Sequence, residues 1–137
     1  MPVVTVVGRL RFNAAHRVHN PALSDEENRV LFGKCNNPNW HGHNYTLELF
    51  VRGPVDPRTG YVMDLSRVKE IAHREVIDKV DHRNLNLDVE FLRDINPTAE
   101  NIAIAIWRVL EPHLAPARLV RVRLSETENN YVEYDGD

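Results

Sequence analysis

The chain has 137 residues, of which 42% are hydrophobic and 27% are charged, and its formal net charge is −3 at pH 7. This length and composition are typical of one globular domain, here predicted to span residues 1–137. Nucleic acids and anionic membranes select basic surfaces, so the acidic balance argues against both as partners. The single cysteine, Cys35, cannot form an intrachain disulfide, which favours a reducing compartment.

The N-terminal half begins with a predicted β-strand. Residues 3–12 are rich in β-branched residues and alternate loosely between apolar and polar positions. The short apolar run is followed by Arg9 and Arg11, a pattern that indicates a strand and not a signal peptide. No apolar run approaches the roughly 18 residues that a membrane span requires. We therefore expect a cytoplasmic protein.

A second strand is predicted over residues 44–52, where NYTLELFVR alternates cleanly. Its apolar face carries Tyr45, Leu47, Leu49 and Val51. The following GPVDPRTG is dense in turn-forming residues and predicts a hairpin-like connection.

Two helices and a further strand follow. Helical spacing of apolar residues predicts helices over 66–80 and 98–113. Their candidate N-caps are Asp64 or Ser66 for the first helix and Asn96 or Thr98 for the second. Residues 118–124 alternate again, and YVEY at 131–134 is predicted to add a short strand. This order indicates an α+β fold with an antiparallel sheet whose helices cover one face. Its exposed sheet edges favour pairing between subunits.

Two histidines at the start of the second strand form a candidate metal site. His41 and His43 are two residues apart, so in a strand both imidazoles point to the same face. Extending the parity of Phe12 through Ala14 brings His16 to the inward face of the first strand. Three imidazoles with a free fourth position are the ligand set of a catalytic zinc site. The alternative is that HGH is an ordinary polar pair where a strand begins.

Cys35 lies six residues before His41, in a loop of Asn and Pro. A thiolate near a cation has a lowered pKa and can serve as a base or nucleophile at neutral pH. A second possibility is that Cys35 is the fourth ligand of a closed, structural zinc site. A third is that it is a small buried residue, although an Asn-rich loop is a poor place to bury one.

Two acidic positions have candidate roles in proton transfer or binding. Asp81 precedes His82 and can orient it for proton shuttling, or the pair can be a polar helix end. Glu126 has the parity of Val122 and Leu124, so a continued strand would point its carboxylate inward. An inward carboxylate needs a partner, either a planar ring with adjacent N–H donors or an internal arginine.

Several motifs together resemble the 6-pyruvoyltetrahydropterin synthase family over nearly the whole chain. They are FNAAH, GKCNNPNWHGHNY, DHRNLNLD, PTAEN and SETENN. The resemblance implies an α+β unit of the T-fold type, a four-stranded antiparallel sheet with two helices on one face. It also implies that three subunits join their sheets into a barrel and two trimers form a homohexamer, with active sites between subunits.

The resemblance also implies roles for individual residues. The positions that match the zinc ligands are His16, His41 and His43. The catalytic thiol and its two partners match Cys35, Asp81 and His82. Glu126 matches the glutamate that anchors the pterin ring, while Thr98 and Glu100 match a segment lining the pterin pocket. Trp40 is bulkier than the family pattern leads us to expect and could narrow the pocket mouth.

The implied reaction converts 7,8-dihydroneopterin triphosphate to 6-pyruvoyltetrahydropterin with loss of triphosphate, as in tetrahydrobiopterin biosynthesis. One alternative is the related 6-carboxytetrahydropterin synthase of queuosine biosynthesis, which usually has three residues between Cys and HGH. This chain has five, NNPNW, which favours the pyruvoyl-forming enzyme. A second alternative is a zinc- or pterin-binding module without catalysis.

Overall fold

The computed structural model describes all 137 residues, and its centre is a five-stranded sheet in the order β3-β1-β2-β4-β5. The strands are β1 (Val3–His16), β2 (His41–Pro54), β3 (Arg83–Asn84), β4 (Arg118–Ser125) and β5 (Tyr131–Tyr134). Neighbouring strands are antiparallel except β3, which runs parallel to β1. The sheet is therefore mixed.

The prediction of a four-stranded antiparallel sheet was wrong because of β3. Its two residues, Arg83 and Asn84, pair with the end of β1 at Ala14 and Ala15. His82 has a positive φ of 60°, and this bend leads the chain from the preceding helix onto the β1 edge. A two-residue strand is too short to show alternation, so the sequence pattern could not predict it.

The long strands β1 and β2 confirm the predicted faces and extend beyond the predicted ends. On β2, Tyr45, Leu47, Leu49 and Val51 are fully buried. On β1, the buried parity continues from Leu10 through Ala14 to His16, where the strand ends. Both strands thus include the histidines at their paired ends.

Three helices accompany the sheet, one more than predicted. They are α1 (Asp25–Phe32), a helix that begins as α2 (Leu65–Ala72) and continues through a π-helical turn (His73–Ile77) into α3 (Asp78–Val80), and α4 (Ala99–Leu110). Short 3₁₀ turns occur at Gly33–Asn36, Glu90–Leu92 and Glu111–His113. Asp64 caps α2 and Thr98 caps α4, each a predicted candidate. None of these helices is long and apolar enough to cross a bilayer.

The sequence contains a helix-start signal for α1, although its apolar residues do not show helical periodicity. Ser24 accepts a hydrogen bond from the backbone of Glu27, and the Glu27 side chain accepts one from the backbone of Ser24. This reciprocal capping box is visible in the sequence as SDEE. The helix itself buries little apolar surface, since Val30 and Leu31 are exposed.

The hydrophobic core lies between one face of the sheet and the helices α2, α3 and α4. Fully buried Ile71 and Ile106 from the helices join Leu47, Leu49 and Leu124 from the sheet in one cluster. Burial of aliphatic and aromatic side chains of this size stabilises the fold by about 1.5–3 kcal/mol each. This packing gives the histidine-bearing ends of β1 and β2 a rigid support.

Candidate metal centre and active site

Strand register brings three imidazoles together. His16 is the cross-strand partner of His41, and Ala14 is the partner of His43, so all three histidines share the inward face. Their ring centroids are 4.5 Å apart for His16 and His41, 5.1 Å for His16 and His43, and 4.9 Å for His41 and His43. Each histidine and Glu126 offers a donor atom, and these four atoms lie within 4.8 Å of one another. We call these four residues the histidine cluster.

A backbone carbonyl fixes the orientation of His16. The side chain is fully buried, and its Nδ1 lies 2.8 Å from the carbonyl oxygen of Pro97. A carbonyl can only accept, so Nδ1 carries the proton and donates it. The lone pair is then on Nε2, which faces the cluster and has no hydrogen-bond partner. This arrangement of an outer hydrogen bond and a free inner nitrogen is typical of metal-binding histidines.

The electrostatics of the cluster fit a bound cation. Both ring nitrogens of His41 and Nε2 of His43 are buried without a hydrogen-bond partner. Burial lowers the pKa of His41, and the neighbouring His16 and His43 lower that pKa further. Burial also lowers the pKa of His43, against the opposing charge of Glu126. Both imidazoles are therefore held in the neutral form that binds metal ions, and the residues present fit a metal site.

Glu126 joins the cluster from the end of β4. The strand ends at Ser125, one residue earlier than an inward Glu126 would need, yet the carboxylate still reaches the histidines. Its Oε1 lies 2.8 Å from His43 Nε2 and 3.6 Å from His16 Nε2. The pair with His43 is close without being aligned as a hydrogen bond. His16 lowers the pKa of Glu126 most, so the carboxylate is ionised near neutral pH. Geometry permits either a fourth metal ligand or an anchor for a substrate.

Cys35 lies outside the histidine cluster. It is exposed and belongs to the 3₁₀ turn Gly33–Asn36, which we call the Cys35 turn. Its backbone carbonyl accepts a hydrogen bond of 2.8 Å from the amide of Val18, two residues after His16. Burial raises the pKa of Tyr45, a neighbour of His43 on β2, and Glu126 and Cys35 raise that pKa further. The Cys35 turn thus lies beside the end of β1, and the thiol is not one of the four donors of the cluster.

Asp81 and His82 lie together on the outer edge of β1. One carboxylate oxygen of Asp81 accepts from the amide of Asn13 at 2.9 Å, and the other lies 3.0 Å from His82 Nδ1. The Asn13 amide lowers the pKa of Asp81 most, and His82 lowers it further. The Cys35 turn is attached at Val18, five residues further along, a separation of up to roughly 16 Å at 3.3 Å per residue. Within one chain, the pair and the thiol are attached at different points.

The segment around Thr98 lies beside the cluster through Pro97. Thr98 uses its hydroxyl to accept from the amide of Asn101 at 3.2 Å, which caps α4. Glu100 is exposed in the first turn of that helix. Neither side chain makes a hydrogen bond or ion pair with the cluster. The contact between Pro97 and His16 was not anticipated from the sequence, because a backbone carbonyl carries no residue-type signal.

Trp40 occupies a corner immediately before β2. Its φ is 69°, a left-handed conformation that is rare for a bulky residue. Its amide donates to the carbonyl of Asn37 at 3.0 Å and closes the turn before His41. Such strained positions are commonly found at functional sites.

Fold and site together define an α+β protein with a candidate metal centre, formed by three histidines and Glu126, at one end of a mixed sheet. The chain belongs to the 6-pyruvoyl tetrahydropterin synthase family, whose model matches residues 5–137. The 6-pyruvoyl tetrahydrobiopterin synthase of Homo sapiens is 46% identical over 129 residues, covering 94% of this chain and 89% of that protein. The solved 6-pyruvoyl tetrahydropterin synthase of Caenorhabditis elegans is 46% identical with a TM-score of 0.94, covering 100% and 98% of the two chains.

A relative with a different name is more distant. The dihydroneopterin monophosphate aldolase of Pyrococcus furiosus is 35% identical over 125 residues, covering 91% of this chain and 90% of that protein. Its lower identity favours the synthases as the functional comparison.

Proposed function

We propose that this protein is a lyase that converts 7,8-dihydroneopterin triphosphate to 6-pyruvoyltetrahydropterin and releases triphosphate, in a tetrahydrobiopterin-type pathway. The observation that carries the proposal is the histidine cluster, formed by register at the ends of β1 and β2. It is supported by 46% identity to named synthases over almost the whole chain. The reaction balances internally. Oxidation of the C1′ carbinol to a ketone supplies the two electrons that reduce the ring, and oxidation of C2′ to a ketone is matched by reduction of C3′ to a methyl group as triphosphate leaves. We place the activity in the cytoplasm.

Zinc is the proposed metal, with His16, His41 and His43 as its ligands. Three neutral imidazoles are a common ligand set for catalytic zinc, and they leave a position for substrate. When bound, the ion would act as a Lewis acid toward the side-chain hydroxyls and make the adjacent carbon-bound protons easier to remove. The hydrogen bond from His16 to Pro97 keeps Nε2 available for this role.

Proton transfer is assigned to Cys35, Asp81 and His82. The exposed Cys35 thiol can reach a bound substrate and, as thiolate, would take the carbon-bound protons. His82 would return protons to the ring, and Asp81 would orient its imidazole through the 3.0 Å contact to Nδ1. The lowered pKa of Asp81 keeps that orienting group ionised.

Substrate binding is assigned to Glu126, Thr98 and Glu100. The ionised carboxylate of Glu126 can accept two N–H bonds from a pterin ring, which gives both affinity and orientation. Thr98 and Glu100 would line the same pocket from the start of α4.

An assembly with sites between subunits is part of the proposal. Attachment of the Asp81–His82 pair five residues from the Cys35 turn favours a site completed by another copy of the chain. The sheet ends in open edges at β3 and β5, which can pair with neighbouring subunits. We expect a homohexamer built as a dimer of trimers, measurable by sedimentation equilibrium.

Product identification is the test of this function. Zinc-loaded protein is incubated with 7,8-dihydroneopterin triphosphate, and products are separated and identified by mass. Triphosphate and 6-pyruvoyltetrahydropterin in equal amounts are expected. Acetaldehyde with a carboxy-pterin would instead identify the carboxy-forming enzyme. In a parallel incubation with 7,8-dihydroneopterin monophosphate, aldol cleavage would identify an aldolase. Binding without any product would identify a non-catalytic module.

A further inference from the structure

Asn36 is a buried amide in a turn that is otherwise exposed. It retains 2% of its accessible surface, while Cys35 before it and Asn37 after it are exposed. Burying an amide costs free energy unless its donors and acceptors are satisfied. Its hydrogen-bond partners therefore indicate why this position is occupied by asparagine.

Those partners are the residues that directly follow His16. The Asn36 Nδ2 donates to the carbonyl of Val18 at 2.8 Å and to Nδ1 of His19 at 2.9 Å. In return, the Val18 amide donates to the carbonyl of Cys35 at 2.8 Å. The Cys35 turn is thus joined to the β1 end by bonds in both directions.

Arg17 adds a second attachment. Its Nε donates to the Asn36 carbonyl at 3.0 Å, and its terminal nitrogen lies 3.5 Å from the Asn36 side-chain oxygen. Arg17 is itself fixed, because its backbone amide and carbonyl both bond to the side chain of Asn86 at 2.9 Å and 2.8 Å. On the β1 side, all of these bonds are made by the three residues that follow His16.

We propose that Asn36 is the positioning residue for Cys35, which holds the thiol at a fixed distance from the metal centre through its amide bonds to Val18 and His19. This rests on the proposed function, in which Cys35 must meet a substrate held at that centre. Asn36 itself touches neither metal nor substrate. A thiol displaced by about 1 Å would lose about a hundredfold in rate, whereas zinc and substrate binding would be retained.

The test uses Asn36→Asp, which keeps the shape of the side chain and removes the Nδ2 donor. The matched control is Asn37→Ala, in the same loop, where the exposed side chain of Asn37 accepts only from the amide of Asn39. For Asn36→Asp we expect kcat to fall about 10- to 100-fold, with KM within about twofold and full zinc content. The control should match the wild type in all three measurements.

A second readout is independent of turnover. Cys35 is the single cysteine, so iodoacetamide labels one thiol in the chain. Alkylation consumes the thiolate, so its rate depends on where the thiol lies relative to neighbouring charges. Alkylation of the zinc-loaded Asn36→Asp protein at neutral pH should therefore be at least about threefold slower than in the wild type and in Asn37→Ala. If the wild type has no turnover, the proposed function fails, but alkylation still tests the positioning role.

Three outcomes would overturn the proposal. They are unchanged alkylation, an unchanged kcat in an otherwise active enzyme, and a loss of kcat that only follows a loss of zinc or of folded protein. Should Asn36→Asp fail to fold, Arg17→Met removes the outer attachment and keeps the amide. That variant should shift kcat and alkylation in the same direction by a smaller factor, and no shift in either would count against the proposal.

Discussion

The histidine cluster and the Cys35 turn both adjoin the end of β1, but they are held in place differently. The histidines project from paired strands, and His16 is fully buried. Cys35 is exposed on a 3₁₀ turn, held by the amide of Asn36 and by a backbone bond to Val18. A metal ion needs several donors at fixed distances, which strand register provides. In the proposed reaction the Cys35 thiol must be reachable by substrate, which an exposed turn provides.

The largest effect is expected from removing one histidine of the cluster, His41 on β2. His41→Ala should abolish stoichiometric zinc binding and lower turnover more than about 100-fold, since even outer hydrogen-bond partners of metal ligands contribute 10- to 100-fold. Metal analysis of the purified protein and product formation are the measurements. His73→Ala, on a helix surface with 54% of its side chain exposed, is the matched control. Full zinc content in His41→Ala would remove His41 from the ligand set.

The next largest effect is expected from Cys35, whose removal should lower turnover without affecting the histidine cluster. Cys35→Ala should keep one zinc per chain, because the thiol is outside the group of four donors. Turnover should fall by about 10² to 10⁴, the range for loss of a positioned base. Cys35→Ser, which keeps the size and loses the acidity, should be nearly as inactive. Loss of zinc in Cys35→Ala would make the thiol a ligand and contradict the division between the two regions.

Glu126 is either a fourth metal ligand or an anchor for the proposed substrate, and one substitution distinguishes these two roles. Glu126→Gln keeps the shape and removes the charge that lies 2.8 Å from His43 Nε2. As a pterin anchor, its loss should lower kcat/KM about 10- to 100-fold, the equivalent of one charge-assisted hydrogen bond. Zinc content measured on the same sample should be unchanged. A protein that loses zinc along with activity would show that Glu126 is the fourth ligand.

The difference between these regions also explains what the sequence could predict. Alternation extended along β1 placed His16, and the HGH spacing placed His41 and His43, because a strand repeats every two residues. The contacts of Pro97 and Asn36 could not be predicted, since a backbone carbonyl and a loop amide acquire partners only when distant segments meet. Helix α1 was missed although SDEE is a capping box, because its apolar residues remain exposed. Strand β3 had no pattern long enough to detect.

The smallest effect is expected at the edge of β1 that pairs with β3, where the Asp81 carboxylate contacts both Asn13 and His82. The pKa of Asp81 is below its usual value of about 3.9, so its contribution to stability is fully present above about pH 4 and is lost as pH falls through the folded-state pKa. Asp81→Asn should therefore lower the free energy of unfolding at pH 7 by about 1 kcal/mol or less, a hydrogen-bond contribution reduced by exposure. Urea unfolding should show this difference shrinking near pH 3, about one unit below the unfolded value. Asp78→Asn, with 70% of the Asp78 side chain exposed, should show a smaller difference at pH 7. An Asp81→Asn difference that stays the same at both pH values would mean that the carboxylate charge of Asp81 does not stabilise this edge of the sheet.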